Sequence, residues 1–126
     1  ADGTPVEKAW MSNTGILSGG GVTSAGVNSS TSTTLQLDAA TTIAVVRNAH
    51  VLDCVGVETL TTITGGISGQ LLTLTFLDAD ACTITDDATG AANTINISAA
   101  YVSTADDTLT LISDGTSWRE VSRSVN

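Results

Sequence analysis

Short apolar runs separated by polar, turn-forming residues dominate the chain from Thr33 onward. Within several runs apolar and polar residues alternate, as at Leu35/Leu37 and Leu109/Leu111, which is the period of a strand with one buried face. Glycine, aspartate and asparagine stand between the runs, in stretches such as "DDATGAAN" and "SDGTS". The pattern predicts strands at residues 33–38, 42–46, 50–57, 60–64, 71–77, 82–85, 94–97, 108–112 and 118–122.

Residues 38–47 also allow a helix, because Asp38 could cap its N-terminus. The β-branched run from Thr41 to Ile43 and the pair Val45-Val46 favour a strand instead. The Asp-Gly in "SDGTS", between the last two runs, indicates a β-hairpin. Many short, evenly spaced strands are typical of an all-β protein built as a sandwich, a barrel or a β-helix-like stack, and we expect a fold of one of these kinds.

The first 32 residues differ in composition from the rest of the chain. They contain the only proline, Pro5, and the stretch "GILSGGGVTSAGVNSSTS", which is rich in glycine and serine. A segment of this kind buries too little apolar surface to form a core of its own. We therefore divide the sequence into a Gly/Ser-rich N-terminal arm, residues 1–32, and an all-β domain, residues 33–126. Trp10 and Met11 are the candidate anchors by which the arm contacts another surface.

Composition and charge limit the classes of partner. The formal net charge is −9, with four basic residues against thirteen acidic ones. Without a basic patch to neutralise phosphates, we expect neither nucleic acid nor an anionic membrane as a partner. No apolar run reaches the roughly 18 residues of a membrane-spanning helix, and no signal-peptide pattern is visible. Aromatic residues are 3% of the chain, so aliphatic side chains must supply most of the core.

The sequence contains no catalytic or cofactor motif. His50 is the only histidine, and "GGISGQ" lacks the final glycine of a nucleophile elbow, so we expect no enzyme activity and no cofactor. Aspartates concentrate in turn-like stretches, as in the doublets Asp86-Asp87 and Asp106-Asp107. Aspartate favours turns, which makes turn chemistry the expected role. A bound cation is the alternative, although no metal ligands are assigned.

The two cysteines, Cys54 and Cys82, both lie in apolar, strand-like runs. Buried reduced cysteines behave as small hydrophobic residues, and we expect both to be reduced and structural. The alternative is a disulfide, which requires that the strands bring the two residues together.

The second half of the chain carries four short motifs. They are the Gly-Gly…Gly-Gln turn (Gly65, Gly66, Gly69, Gln70), the strand end from Thr83 to Asp86, the Asn96-Ile97 strand and the final hairpin "LISDGTSWREVSRS". Through these motifs about half of the chain resembles a module of tailed-phage virion proteins. In that family the module is β-rich, usually homotrimeric and placed on the outside of the particle. It occurs in tail fibres and spikes and, as a stand-alone chain, in capsid decoration (cement) proteins.

The resemblance implies a trimeric phage structural protein, assembled in the host cytoplasm and located on the capsid exterior. The 126 residues fit a stand-alone decoration subunit better than a fibre with a shaft. The expected partners are further copies of the chain and the major capsid protein. The alternative is a tail-fibre or tail-spike tip that binds a host surface glycan. A lectin or carbohydrate-active enzyme is a third hypothesis, which the scarcity of aromatic residues disfavours.

The final strand supplies most of the candidate interface residues. An uninterrupted strand puts Trp118 and Glu120 on one face and Arg119, Val121 and Arg123 on the other. Both faces then carry an apolar residue, so we expect a neighbouring subunit to cover one of them in an intertwined homotrimer. The full set of interface candidates is Trp10, Met11, Trp118, Arg119, Val121 and Arg123.

Arg119 and Arg123 are expected to pair with acidic turns, because a guanidinium binds a carboxylate through two hydrogen bonds. We expect these pairs to form across subunits. The predicted partners are Asp78, Asp80, Asp86, Asp87, Asp106 and Asp107.

Overall fold

The computed structural model describes residues 33–77 and 81–126. In these residues the regular secondary structure consists of β-strands, without a helix. The strands are β1 (Thr33–Leu37), β2 (Thr42–Ala44), β3 (Ala49–Cys54), β4 (Glu58–Leu60), β5 (Thr62–Thr64), β6 (Leu71–Phe76), β7 (Cys82–Ile84), β8 (Ile95–Asn96), β9 (Tyr101–Val102), β10 (Thr108–Ser113) and β11 (Trp118–Ser124). The expectation of an all-β fold is confirmed. None of the described residues forms an apolar helix long enough to cross a membrane.

Each strand predicted from the alternation of apolar and polar residues coincides with an observed strand. The predicted strand at 60–64 is divided at Thr61, because β4 and β5 belong to different sheets. The alternative helix at 38–47 is wrong, since Ile43 lies in β2 and that strand pairs in parallel with β5. The two-residue strand β9 was missed, because a run this short carries no period.

Parallel pairing between successive turns of the chain builds the fold. In the largest sheet Thr33 lies beside His50, and His50 lies beside Leu74, so β1, β3 and β6 are stacked in parallel. The pairs β2–β5 and β4–β7 are stacked in the same way on two further sides. Each turn uses about 20 residues, as in solenoid proteins. The chain is therefore a β-solenoid-like stack, and not a sandwich or a closed barrel.

Antiparallel strands end the stack at its C-terminal side. The hairpin β10–β11 adds to β6 through β10, and β8 continues the sheet in parallel with β11, which gives the order β1-β3-β6-β10-β11-β8. On another side β9 pairs antiparallel with β7. The predicted hairpin at "SDGTS" is thus confirmed, and it covers the last turn of the stack.

The core lies inside the stack and consists mainly of aliphatic side chains, with Phe76 and Trp118 as its large aromatic members. Cys54 and Cys82 are both buried there and are joined by a disulfide, with 5.7 Å between their Cα atoms. The prediction of two reduced cysteines is therefore wrong for this structure. The physical reason is the stacking itself, which brings the end of β3 next to the start of β7 on the following turn.

Several sequence-based predictions concern residues outside the described ranges. These are the arm at residues 1–32 with its candidate anchors Trp10 and Met11, and the acidic residues Asp78 and Asp80.

Candidate functional site

The two ends of the phage-like motif meet at the C-terminal end of the stack. The N–H of Gly69 donates a hydrogen bond to the carbonyl oxygen of Ser113, at 2.8 Å. Gly66 lies against the indole of Trp118, so closely that a β-carbon at residue 66 would come within 2.5 Å of Cζ2 of the ring. The Gly-Gly…Gly-Gln turn and the final hairpin therefore form one packed corner.

Trp118 is buried in this corner. Its Nε1–H donates a hydrogen bond to the carbonyl oxygen of Ile63, at 2.8 Å, which satisfies the only polar atom of the ring. Gly65 makes the turn possible, because its φ is +91° and a side chain there would collide with the carbonyl oxygen of Val45. The predicted interface residue Trp118 thus has its ring covered within the subunit.

Asp114 organises the hairpin turn between β10 and β11. Its Oδ1 accepts hydrogen bonds from the N–H groups of Ser117, at 2.8 Å, and Thr116, at 2.9 Å. Its Oδ2 lies 3.0 Å from Nε of Arg119. The bonds from Ser117, then Thr116 and Arg119, hold the pKa of Asp114 well below its usual range. The Asp-Gly of the sequence signalled this turn, but it did not identify Asp114 as the partner of Arg119.

A β-bulge at Val121 changes the side of the sheet to which the following side chains of β11 point. Leu111 lies opposite Glu120, whereas the preceding Thr110 lies opposite Ser122, so Val121 has no partner on β10. The extra residue reverses the alternation along β11. Arg119 faces outward, opposite the exposed Ile112. The prediction that Arg119 and Arg123 share a face is therefore wrong.

Arg123 lies on the opposite face of β11 from Arg119. Its position opposite Leu109 puts it on the same side as Glu120, and its Nε and Nη2 bind the Glu120 carboxylate at 2.6 and 2.8 Å. Nη2 also donates to Ser98 Oγ and to the carbonyl oxygen of Ala99, both at 3.1 Å. The guanidinium stands 4.3 Å from the ring centre of Tyr101, a cation–π distance.

The pKa values of this cluster follow from its contacts. The hydrogen bond from Arg123 is the main cause that lowers the pKa of Glu120 to about 2, and the same bond raises the pKa of Arg123. Burial of the phenol raises the pKa of Tyr101. The pair Glu120–Arg123 is therefore fully ionised at neutral pH, and it joins β11 to the segment after β8.

The predicted acidic partners of the arginines do not pair with them in the part of the chain that the structure describes. Instead three of these carboxylates accept hydrogen bonds from backbone N–H groups. Asp86 binds the N–H of Ile97 at 3.1 Å, Asp87 that of Thr89 at 2.9 Å, and Asp107 that of Thr104 at 2.8 Å. The expected turn role is confirmed for Asp87 and Asp107, whereas the bond from Asp86 joins segments eleven residues apart. Pairing across subunits stays a prediction.

The outward side of β6, β10 and β11 forms a broad, weakly charged surface, called here the outer face. Leu71 and Ile112 lie opposite each other on this face, and both are exposed. Arg119 lies opposite Ile112 on the other side. Threonines and serines fill the rest. The outer face consists of Leu71, Thr73, Thr75, Thr108, Thr110, Ile112, Arg119, Ser122 and Ser124.

An open groove of about 380 Å³ borders the outer face where β8 ends beside the bulge. Residues 96–98 line one side, and Arg119, Glu120 and Val121 line the other. Two interface candidates, Arg119 on the outer face and Val121 in the bulge, therefore line the same groove, whereas Trp118 and Arg123 do not. Sequence reasoning missed Ser98, Tyr101 and Glu120, because their meeting depends on the bulge.

His50 and the acidic side chains are the remaining candidates for a catalytic or metal site. His50 is buried inside the stack, where its Nε2 accepts a hydrogen bond from the N–H of Val46 at 3.4 Å. Among residues 33–77 and 81–126, no three or more side chains of His, Cys, Asp or Glu come together as a metal site would require.

No protein-family model, curated protein or solved structure matches the chain. The resemblance to phage virion modules therefore rests on the sequence motifs alone.

Proposed function

We propose that the protein is a structural component of a tailed-phage virion, a homotrimeric capsid decoration protein without enzyme activity. The observation that carries the proposal is the corner at Gly66 and Trp118. Every part of the phage-like motif that lies there serves to close the end of a β-stack, through a packed glycine, a buried indole and a fixed hairpin turn. The resembling residues are thus architectural, as a module of a particle surface requires.

A decoration protein would stabilise the shell by mass action, because a protein that binds the assembled shell more tightly than the free shell subunits shifts the equilibrium toward assembly. The stack suits such a role, because its turns are joined by parallel pairing and by the Cys54–Cys82 disulfide. The net charge of −9 favours attachment to a shell surface that carries basic side chains.

A tail-fibre or tail-spike tip is the second candidate, and the groove beside β8 is the observation in its favour. Asn96 and Ser98 offer amide and hydroxyl groups there, and Arg119 adds a cation. Sugar hydroxyls would find hydrogen-bond partners in such a lining. In this alternative the groove takes a host surface glycan.

Immunogold labelling of virions distinguishes the two candidates. Antibodies raised against the purified chain are applied to particles of the phage whose genome encodes this reading frame. A decoration protein gives gold over the heads at many copies per particle, whereas a fibre tip gives gold at the distal end of the tail. Unlabelled particles, with the denatured protein absent from the virion by mass spectrometry, would contradict both candidates.

A further inference from the structure

We propose that the outer face is the surface through which a second copy of this chain packs, an assignment that rests on the proposed homotrimer. The starting observation is the chemistry of the face. Leu71 is 48% exposed and Ile112 is 36% exposed, and the two side chains lie opposite each other on the two central strands of the sheet, at the end next to the β10–β11 turn. The methyl groups of Thr73 and Thr110, the next pair along the same two strands, extend this apolar surface. Contiguous exposed apolar surface is typical of a site that another protein covers.

Charge distinguishes a second copy from another partner. Copies of a chain with net charge −9 repel each other wherever acidic surfaces approach within the screening length of about 8 Å. On the outer face Arg119 is the sole charged side chain, and Asp114 in the adjoining turn neutralises it. The other positions are apolar or carry hydroxyl groups. Acidic subunits can therefore approach one another through this face around a three-fold axis without like-charge repulsion, whereas a basic partner gains nothing from this face.

The other acidic side chains lie elsewhere or at the rim of the face, where Asp53 stands on the outward side of the adjoining β3 and accepts a hydrogen bond from Gln36. Asp38 follows β1, Asp86 follows β7, and Asp106 precedes β10 at the far end of the face from Arg119. A basic shell surface would be drawn to these residues. The distribution of acidic side chains thus assigns different surfaces to the two partners. The weakly charged outer face contacts the neighbouring subunit, and the acidic turns contact the shell.

The hydroxyl groups of the face do not oppose such packing. Thr73 and Thr110 lie opposite each other, and their Oγ1 atoms are 3.4 Å apart, within reach of one hydrogen bond. Their methyl groups add to the apolar surface of Leu71 and Ile112. Burial of these threonines consequently costs less than burial of unpaired hydroxyl groups would.

The test places a carboxylate on the outer face and, as a control, at a more exposed apolar site elsewhere. In the full chain, Ile112→Asp and Leu71→Asp are compared with Val57→Asp, whose valine is 82% exposed between β3 and β4. Mass is measured by light scattering over a range of concentrations, and folding by circular dichroism. The wild type is expected at three times the chain mass of 12.7 kDa.

We expect both outer-face variants to raise the dissociation constant at least tenfold while they remain folded, and Val57→Asp to assemble like the wild type. If Ile112→Asp does not fold, the inference is tested by the dissociation constant of Leu71→Asp alone. Folded outer-face variants that assemble like the wild type would overturn the inference, and so would a monomeric wild type. If immunogold labels the phage heads but the outer-face variants assemble like the wild type, only the inference is contradicted. If the virions are not labelled but the outer-face variants dissociate, only the proposed function is contradicted.

Discussion

Glu120 and Arg123 form a two-point ion pair on one face of β11, although residues three apart on a regular strand point to opposite faces. The bulge at Val121 makes the pair possible, because it inserts one residue that has no partner on β10. The pair is largely covered, with 19% of the Arg123 side chain and 14% of the Glu120 side chain exposed. It therefore stabilises the last strand from inside the subunit.

Arg123→Ala should destabilise the protein strongly. The substitution removes both bonds to Glu120, the bonds to Ser98 and Ala99 and the stacking on Tyr101, and it leaves a covered carboxylate without its partner. Breaking a buried ion pair costs about 3–5 kcal/mol, so we expect a loss of about 2–4 kcal/mol for this partly covered one. Chemical denaturation of the wild type and the variant measures the difference.

Arg119→Ala is the matched control for that measurement. Arg119 also pairs with a carboxylate, but 53% of its side chain and 38% of that of Asp114 are exposed. Exposed pairs contribute about 0–1 kcal/mol, so this variant should unfold nearly like the wild type. Equal losses for the two arginines would contradict the assignment of Arg123 to the covered face.

The Glu120 carboxylate should make stability depend on pH in the acid range. Its pKa in the folded protein is about 2, below the ordinary value of 4.5, so the unfolded chain takes up the proton first as the pH falls. The contribution is complete above pH 4.5 and is lost between pH 4.5 and about 2. Glu120→Gln should therefore show a smaller decrease of the unfolding free energy over this window. Parallel decreases in both proteins would contradict the prediction.

The strands could be predicted from the sequence because alternation such as that of Leu109 and Leu111 reflects one buried face, which is a local property. The stacking order could not. Nothing in the run from Thr33 to Leu37 says that it pairs in parallel with the run that begins at Ala49 and not with some other strand. The choice among sandwich, barrel and β-helix-like stack therefore had to stay open.

The candidate site was predicted only in part, for a similar reason. The turn role of Asp87 was predictable, since an aspartate binds N–H groups close to it in the chain, whereas the bond from Asp86 to Ile97 depends on the fold. The bulge at Val121 has no sequence signal, because a single inserted residue appears only when the partner strand is known. One undetected residue was enough to reverse the assigned face of Arg123.

The contact between Gly66 and Trp118 predicts coupled effects of substitution. Gly66→Ala forces its β-carbon onto the indole, and overpacking of this kind costs about 1–3 kcal/mol. Trp118→Phe removes the Nε1–H that binds the carbonyl oxygen of Ile63, and an unpaired buried acceptor costs about 1–3 kcal/mol. In the double variant the smaller ring should relieve the clash. We expect a loss below the sum of the two single losses, and additive losses in denaturation would show that the two residues do not press on each other.

The Cys54–Cys82 disulfide should account for a large share of the stability. It closes a loop with a sequence separation of 28, for which chain entropy predicts about 3–4 kcal/mol. Both sulfur atoms are buried, so reductant should act only after local opening or unfolding. Thiol titration of the purified protein in denaturant without reductant should find no free thiols. Chemical denaturation of the fully reduced protein should show the loss of unfolding free energy. The double variant Cys54→Ala/Cys82→Ala should resemble the reduced protein, because it removes the same constraint. Two free thiols per chain, together with unfolding that reductant leaves unchanged, would show that the stack brings the cysteines together without joining them.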